Sequence, residues 1–457
     1  MGESPTALMT RGSDPDHETS RLYTDFWNAL PAQLRTEQQL AGIAAVACGA
    51  THSVMERCNF ACTSCYLSSA ANSTQPAPFN EVKTQLDHLR ASLGAGGKCQ
   101  ITSGEVTLLE PAELGRLIAY ARQIGLDPMV MTNGQRFLQR PDYLLILVRD
   151  FGLEKISFHI DNTQKGRPGW RPGMSEEELN PLRDRFAKLV RDTRQQTGKA
   201  LHAALTMTVT DDNFQGITDV AKWSLANADA IRILSLQPVA PVGRTKDQLS
   251  SDLSLDGTWH RVCDSVGKQL NRDALHYGHP ACNITVPIVV INTHGTIDVI
   301  EAVRAGRAWD QRIMRRALRE FHSVVDLGEG VSVGNARRLT LAVQRDPLAL
   351  CEAIAYGLYR LMGAYRIVLR MLLATLLRSP ISVRPLLLVV HHFMGNDELN
   401  TDQGRQRLAA CVFKLSVDGQ LRSMCEVNAT GIREQLTKDA LRDRAESPQE
   451  PAVVSPG

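Results

Sequence analysis

Residues 58–66 read Cys58-Asn-Phe-Ala-Cys62-Thr-Ser-Cys65-Tyr66, three cysteines within eight positions. That spacing lets three thiolates wrap one side of a single metal centre. A structural zinc ion would want a fourth ligand nearby, and His52 and His88 are the histidines at hand. A four-iron cluster held by three thiolates would instead leave one iron without a protein ligand, open to a small molecule. The chain carries ten cysteines, and its opening MGESPTALMT contains no apolar run that could serve as a secretory signal. Disulfides are therefore not expected, and clustered cysteines read as metal ligands or redox groups of a cytoplasmic protein.

Outward from the cysteines, short apolar runs alternate with longer helical patterns. Strand-like runs begin at Cys99, Pro128, Lys155, Ala200 and Ala230. Helical patterns begin at Phe79, Pro111, Tyr143, Ser175 and Gly216. Such repetition predicts an α/β fold, a parallel sheet with helices packed outside it. With the run that ends at Cys58 it amounts to six units, a partial (β/α)6 barrel, and ligands of such sheets gather at the carboxyl ends of the strands.

The remaining organisation follows from composition. Residues 1–20 and 441–457 are polar and read as unstructured tails, 21–53 as a lead-in, and 54–245 as the barrel. Residues 246–330 form a connecting segment that includes the turn Gly278-His279-Pro280-Ala281-Cys282. Residues 331–390 read as a helical insert, and 391–440 as a small C-terminal extension built on a β-hairpin with Asp418-Gly419 at its tip. A net charge of +2 gives no electrostatic reason to expect nucleic acid. No stretch of 18 charge-free apolar residues predicts a transmembrane helix. In the insert, Arg360, Arg366, Arg370 and Arg378 share one helical stripe, and leucines fill the other faces. Such a helix suits three places: packed in the core with its arginines in water, covering an apolar substrate, or lying on a membrane surface.

The CxxxCxxC spacing with an aromatic residue after the last cysteine resembles the radical S-adenosylmethionine superfamily. Further residues carry the resemblance over about 54–245. Thr102-Ser103-Gly104-Glu105-Val106-Thr107 is similar to that superfamily's Gly-Gly-Glu-Pro segment, with Ser103 and Val106 departing from it. Thr132-Asn133-Gly134 closes the third strand, and Ser157 and Asp161 lie on the fourth. The resemblance implies a [4Fe–4S] cluster on Cys58, Cys62 and Cys65. It further implies S-adenosylmethionine held by Ser103, Gly104, Glu105, Asn133, Ser157 and Asp161, with Glu105 accepting from the cofactor's ammonium. Reduction then cleaves the cofactor to a 5′-deoxyadenosyl radical, the electron coming from a carrier such as flavodoxin or ferredoxin.

Later residues resemble, in order, the subgroup that contains tetraether lipid synthase and the pterin-type methylases. They are Gly278-His279-Pro280-Ala281-Cys282, His391-His392-Phe393-Met394, Cys411, Asp418-Gly419 and Cys425. This implies a second [4Fe–4S] cluster on Cys282, Cys411 and Cys425, and C–C bond formation or methylation of a lipid or other small molecule. Peripheral membrane contact is a further expectation. Cys48, Cys99, Cys263 and Cys351 read as packing residues. The competing class is a non-catalytic iron–sulfur or zinc protein, an electron carrier or a binding module.

Overall fold

The structure, a computed structural model, describes residues 15–245, 253–321, 344 and 346–446. The outer parts of both expected tails, the first residues of the expected insert and the Gly328–Gly330 segment lie outside the described residues.

One mixed sheet organises the chain. Its strands are β1 Cys48–Ala50, β2 Lys98–Ile101, β3 Asp127–Thr132, β4 Lys155–His159, β5 His202–Val209, β6 Ile231–Pro238, β7 Asn283–Thr293, β8 Thr296–Glu301, β9 Ile381–His391, β10 Phe413–Val417 and β11 Gln420–Ser423. Their order is β11-β10-β1-β2-β3-β4-β5-β6-β9-β7-β8. From β10 to β9 every neighbouring pair is parallel, and the outer pairs are antiparallel. The sheet curls into part of a barrel. Contacts between its two ends demonstrate the curl: Gln39 and the turn at Gly278 pack against Ala410 and Val412 beside β10, although Gly278 leads into β7 at the other end of the order.

Local sequence explains these elements. Nearly every residue of β5 is buried, as in a strand covered by helices on one side and by the barrel interior on the other. The helix Phe79–Leu93 buries Val82, Leu86, Leu89 and Leu93, one face of a 3.6-residue period. Helix Pro111–Gln123 starts with proline at its first position, and Glu113 accepts from the Glu110 backbone amide. Helix Asn180–Thr197 stops at Gly198, whose φ of +64° is left-handed.

Several boundaries differ from the sequence expectation. A helix runs Pro15–Ala29, within the stretch read as a tail to residue 20: Pro15 can start it, and Leu22, Tyr23 and Phe26 pack on the main core. The helix Ile432–Glu446 likewise continues past residue 441. The connecting segment supplies two sheet strands, β7 and β8. The helical insert ends at Leu376, and Ile381–His391, read as its tail and the start of the extension, is β9 at the middle of a three-strand group. An unbroken apolar run such as Pro385-Leu-Leu-Leu-Val-Val390 has no period, so helix and buried strand look alike in it. The insert is also two helices, Pro347–Gly363 and Tyr365–Leu376, broken after Gly363.

The insert is not a cover over the strand ends. It joins β9 at Ile381, whereas β9 reaches the carboxyl end of the parallel strands only at His391, ten residues or about 33 Å further on.

Candidate functional site

The loop after β1 carries Cys58, Cys62 and Cys65, and neighbouring strand-end loops clamp it from three sides. Ala61 N donates to Lys165 O at 2.8 Å and Thr63 N to Thr163 O at 3.0 Å, both in the loop after β4. Cys58 N donates to Asn72 Oδ1 at 3.1 Å. On the far side, Arg244 N donates to Cys65 O at 2.7 Å, and the Arg244 guanidinium reaches Cys65 Sγ at 3.4 Å. Gly243 is required there: a Cβ would sit 2.4 Å from the Tyr66 backbone, at a φ of +58°. The Tyr66 ring lies under the Arg433 guanidinium, 4.8 Å away. All three thiols are half-buried.

Burial pushes the Cys58 thiol up to about 11, and the nearby Glu105 charge adds to it. Burial, followed by the charges of Cys65, Asp161 and Cys58, holds the Cys62 thiol well above its usual range. Three thiolates at this spot need positive charge between them. His52 Nδ1 is bonded to Ser53 Oγ at 2.8 Å and His88 Nδ1 to Ser416 Oγ at 2.8 Å. Among the described residues no three His, Cys, Asp or Glu side chains converge on a single-ion position.

Beside the cysteines lies the loop after β2. Gly104 packs on the cysteine loop's backbone, where a Cβ would meet Glu56 O at 2.1 Å and Arg57 O at 2.5 Å. Ser103 takes a φ of +153°, a conformation that favours glycine. Its hydroxyl is buried with no partner among the described residues. Glu105 is buried and already occupied: Oε1 accepts from Thr107 N at 3.0 Å, from Thr107 Oγ1 and from Thr132 Oγ1 at 2.6 Å, and Oε2 accepts from Asn133 N at 2.7 Å. Glu105 therefore ties the loop after β2 to the end of β3, and only Oε2 keeps room for another donor. Glu105→Gln turns an amide N–H toward these donors and removes charge-assisted bonds worth about 1.5–3 kcal/mol each. A lowered thermal unfolding midpoint of the apo chain is expected, and an unchanged midpoint would show that the tie does not matter.

Asn133 spans the gap, donating from Nδ2 to Asn59 Oδ1 at 2.8 Å, with Cys58 Sγ at 4.0 Å. Ser157 Oγ shares a bond with Thr206 Oγ1 at 2.9 Å on β5. Asp161 is fully engaged. Oδ1 accepts from Thr163 N at 3.0 Å and Thr163 Oγ1 at 2.6 Å, and Oδ2 from Thr208 N at 2.7 Å and His159 Nε2 at 2.7 Å. Burial works against that carboxylate, yet the His159 imidazole and these donors hold its carboxyl below the usual range. Asp161 thus shapes the loop after β4, and its partner His159 is the residue left half-open.

Sequence reading missed Arg167. It is buried, stacks 4.8 Å from the Phe60 ring, and donates to Asn133 O at 2.9 Å and His159 O at 3.1 Å. Its Nη1 is buried without a partner among the described residues. Burial draws its pKa down to about 10, with Asp161 and Cys62 pulling the other way. The only signal was the Gly166-Arg-Pro-Gly169 turn, whose first glycine, at φ +99°, lets the loop approach Phe60. Below it, the fully buried Glu176–Arg183 ion pair anchors the segment, with Arg183 also donating to Ile160 O at 3.1 Å.

The second cysteine group also assembles. Cys282, Cys411 and Cys425 lie near enough that each other's charge raises Cys282 and Cys425. Burial is the larger cause for both and takes Cys425 up to about 12. Each sulfur is held: Arg407 Nε reaches Cys282 Sγ at 3.4 Å, Ser423 Oγ reaches Cys411 Sγ at 3.2 Å, and Met394 N reaches Cys425 Sγ at 3.3 Å. Arg407 is buried and also donates to His392 O at 2.8 Å and Glu398 Oε1 at 3.1 Å. A buried Gln39 sets the Gly278 turn, exchanging two 2.9 Å bonds with its backbone. Tyr66, Phe393 and Phe413 join one apolar cluster that links the two cysteine groups. His391 is half-buried, and its desolvation lowers its pKa to about 4, so it is neutral near pH 7. Of the other four cysteines, Cys99 and Cys263 are core residues, Cys48 is half-buried on β1 with its N–H on Val412 O at 2.8 Å, and Cys351 is exposed and not the packing residue expected.

No family model and no curated protein matches the sequence. Among solved structures, the chain is similar to a histidine-tagged anSMEcpe "with bound AdoMet" and to "Native anSMEcpe with bound AdoMet and Cp18Cys peptide", each at a TM-score of 0.35 and 14% identity. Each match covers 48% of this chain, which spans 58% of the other.

Proposed function

We propose that this chain is a radical S-adenosylmethionine enzyme that abstracts hydrogen from an unactivated carbon of an apolar or lipid substrate, leading to C–C bond formation or methylation. The observation that carries the reading is the nearness, in the loops after the strands, of three electrostatically coupled thiols to a buried hydroxyl and a buried guanidinium nitrogen that no described residue satisfies. Cys58, Cys62 and Cys65 would hold a [4Fe–4S] cluster, which when reduced supplies the electron that cleaves the bound cofactor. The chain's own groups would do the positioning. Ser103 Oγ and Arg167 Nη1 offer polar atoms that no described residue satisfies. Glu105 Oε2 has room for one more donor, such as an ammonium. Asn133, Ser157 and Asp161 would act chiefly through the loops they fix, because their own polar atoms are largely engaged. His159 is the open residue of that face.

The order of Cys282, Cys411 and Cys425, and their assembly around Arg407, support a second cluster and the likeness to the tetraether lipid synthase and pterin-methylase subgroup. The likeness to that subgroup supports a substrate with apolar character. An external reductant of the flavodoxin or ferredoxin kind would supply electrons in the cytoplasm.

The test is anaerobic reconstitution with iron and sulfide, reduction by dithionite, and assay for 5′-deoxyadenosine. The enzyme reading expects 5′-deoxyadenosine to form from S-adenosylmethionine even without the natural substrate. A cluster that cycles between redox states and never cleaves the cofactor would overturn it in favour of an electron carrier.

A further inference from the structure

The two insert helices are built the wrong way round for a water-exposed surface. Several of their polar and aromatic residues face the protein. Glu352 pairs with Arg312 and Arg316, and Trp309 packs against Tyr356 and Tyr359 at 5.5 and 5.3 Å. Arg360 is turned inward onto Ala302 O at 2.9 Å and Asp310 at 3.3 Å, and Arg370 reaches Asp298 on β8 at 2.7 Å. Their large aliphatic residues face out. Met362, Leu369, Leu373 and Leu376 are 69%, 60%, 56% and 82% exposed. Leu369, Leu373 and Leu376 fall at i, i+4 and i+7, a continuous apolar stripe. A surface helix ordinarily shows the reverse pattern, and exposed apolar patches of this kind mark an interaction surface.

We propose that this face docks on an anionic phospholipid bilayer, the two helices lying in the plane of the interface. Three observations choose that occupant. The first is composition: the outward stripe is leucine and methionine without tryptophan, whereas protein interfaces depend on tryptophan, tyrosine and arginine, with leucine under-represented. The second is charge. Residues 347–390 hold five arginines and one acid, Glu352, which faces inward. Arg366 and Arg378 stay exposed near the two ends of the helix Tyr365–Leu376, beside the exposed Tyr365, where lipid head groups would lie. A second copy docked symmetrically would set those cations against each other. The third is length. The helices have 17 and 12 residues, and none among the described residues is long and apolar enough to cross a membrane, so they lie on it. The inference does not rest on the proposed reaction, whose site is at the other end of β9.

The test is flotation of the full-length protein with vesicles of phosphatidylcholine alone and of phosphatidylcholine mixed with phosphatidylglycerol. Wild type should float with the mixed vesicles and much less with the neutral ones. The Met362, Leu369, Leu373 and Leu376 quadruple serine variant removes only exposed side chains. It should keep its circular dichroism and lose vesicle partitioning by more than roughly a hundredfold. Arg366→Glu and Arg378→Glu should each weaken binding to mixed vesicles by roughly fivefold or more, an effect that salt erases. Wild type that stays unbound on both vesicle types overturns the proposal. If light scattering then gives a dimer that the quadruple variant dissociates, the face belongs to a second copy. If it gives a monomer, the face belongs to another segment of the chain. Binding that the quadruple variant retains also overturns it.

Discussion

Replacing Cys58, Cys62 and Cys65 together with alanine should abolish 5′-deoxyadenosine formation and remove the iron bound at that loop, while the chain remains folded. The second half of that expectation comes from the way the loop is held. Its backbone is fixed by Ala61 N to Lys165 O and Thr63 N to Thr163 O, and its aromatic residues by Arg167 over Phe60 and Arg433 over Tyr66. None of those contacts uses a thiol. The three sulfurs are half-buried and outside the main apolar core, so the triple variant should lose no more than about 1–2 kcal/mol of stability. Iron analysis, the thermal midpoint and chromatographic detection of 5′-deoxyadenosine check the three parts separately. A triple variant that cleaves S-adenosylmethionine at the wild-type rate would place the chemistry elsewhere. One that unfolds would show that the loop's own contacts do not suffice to hold it.

The residues on which the proposed chemistry rests could be picked out in sequence because they are local. Three cysteines in one loop, and the Gly104-Glu105 pair after one strand, carry their meaning in spacing. The strands β2 to β6 were legible for a similar reason, since helices pack over them and their apolar runs are bounded by turn residues. What stayed hidden is long-range and polar. Arg167 looks in sequence like any loop arginine, and only the folded chain brings its guanidinium onto Phe60, Asn133 and His159, 107, 34 and 8 positions away. Gln39 meets Gly278 across 239 positions, and Arg407 meets Cys282 across 125. No periodicity reports such pairs, because each is a single buried polar group that finds its partner only when the sheet curls.

The insert shows a different limit. Its amphipathic pattern was visible, but a pattern says only that two faces differ, not which one meets the protein. Arg360 settled the matter by finding Ala302 O and Asp310, partners that lie far off in sequence. The run Ile381–His391 was misread because its apolar stretch, residues 385–390, lacks the alternation that marks a half-buried strand.

Cys282, Cys411 and Cys425 should bind a second four-iron cluster, so the reconstituted wild type should hold about eight irons and the corresponding triple alanine variant about four. Burial, and after it the neighbouring thiols, push Cys282 and Cys425 up, so three sulfurs at close quarters either stay protonated or surround a cation. Each sulfur has a polar neighbour: Arg407 points at Cys282, Met394 N at Cys425 and Ser423 Oγ at Cys411, while the Cys411 thiol itself donates to Phe413 O at 3.2 Å. Arg407 is tethered by Glu398 and the His392 carbonyl, so its position does not depend on the sulfur. The triple variant should therefore keep its fold and the spectrum of the first cluster while losing half the iron. Arg407→Met, which removes the cation and keeps an apolar stem, should leave the iron count intact and shift the reduction potential of the second cluster downward, because a net positive neighbour favours the reduced state. Potentiometric titration followed by electron paramagnetic resonance reads both. A wild type that takes up only about four irons, all lost with Cys58, Cys62 and Cys65, would mean that Cys282, Cys411 and Cys425 are packed thiols and that Arg407 serves only Glu398 and His392.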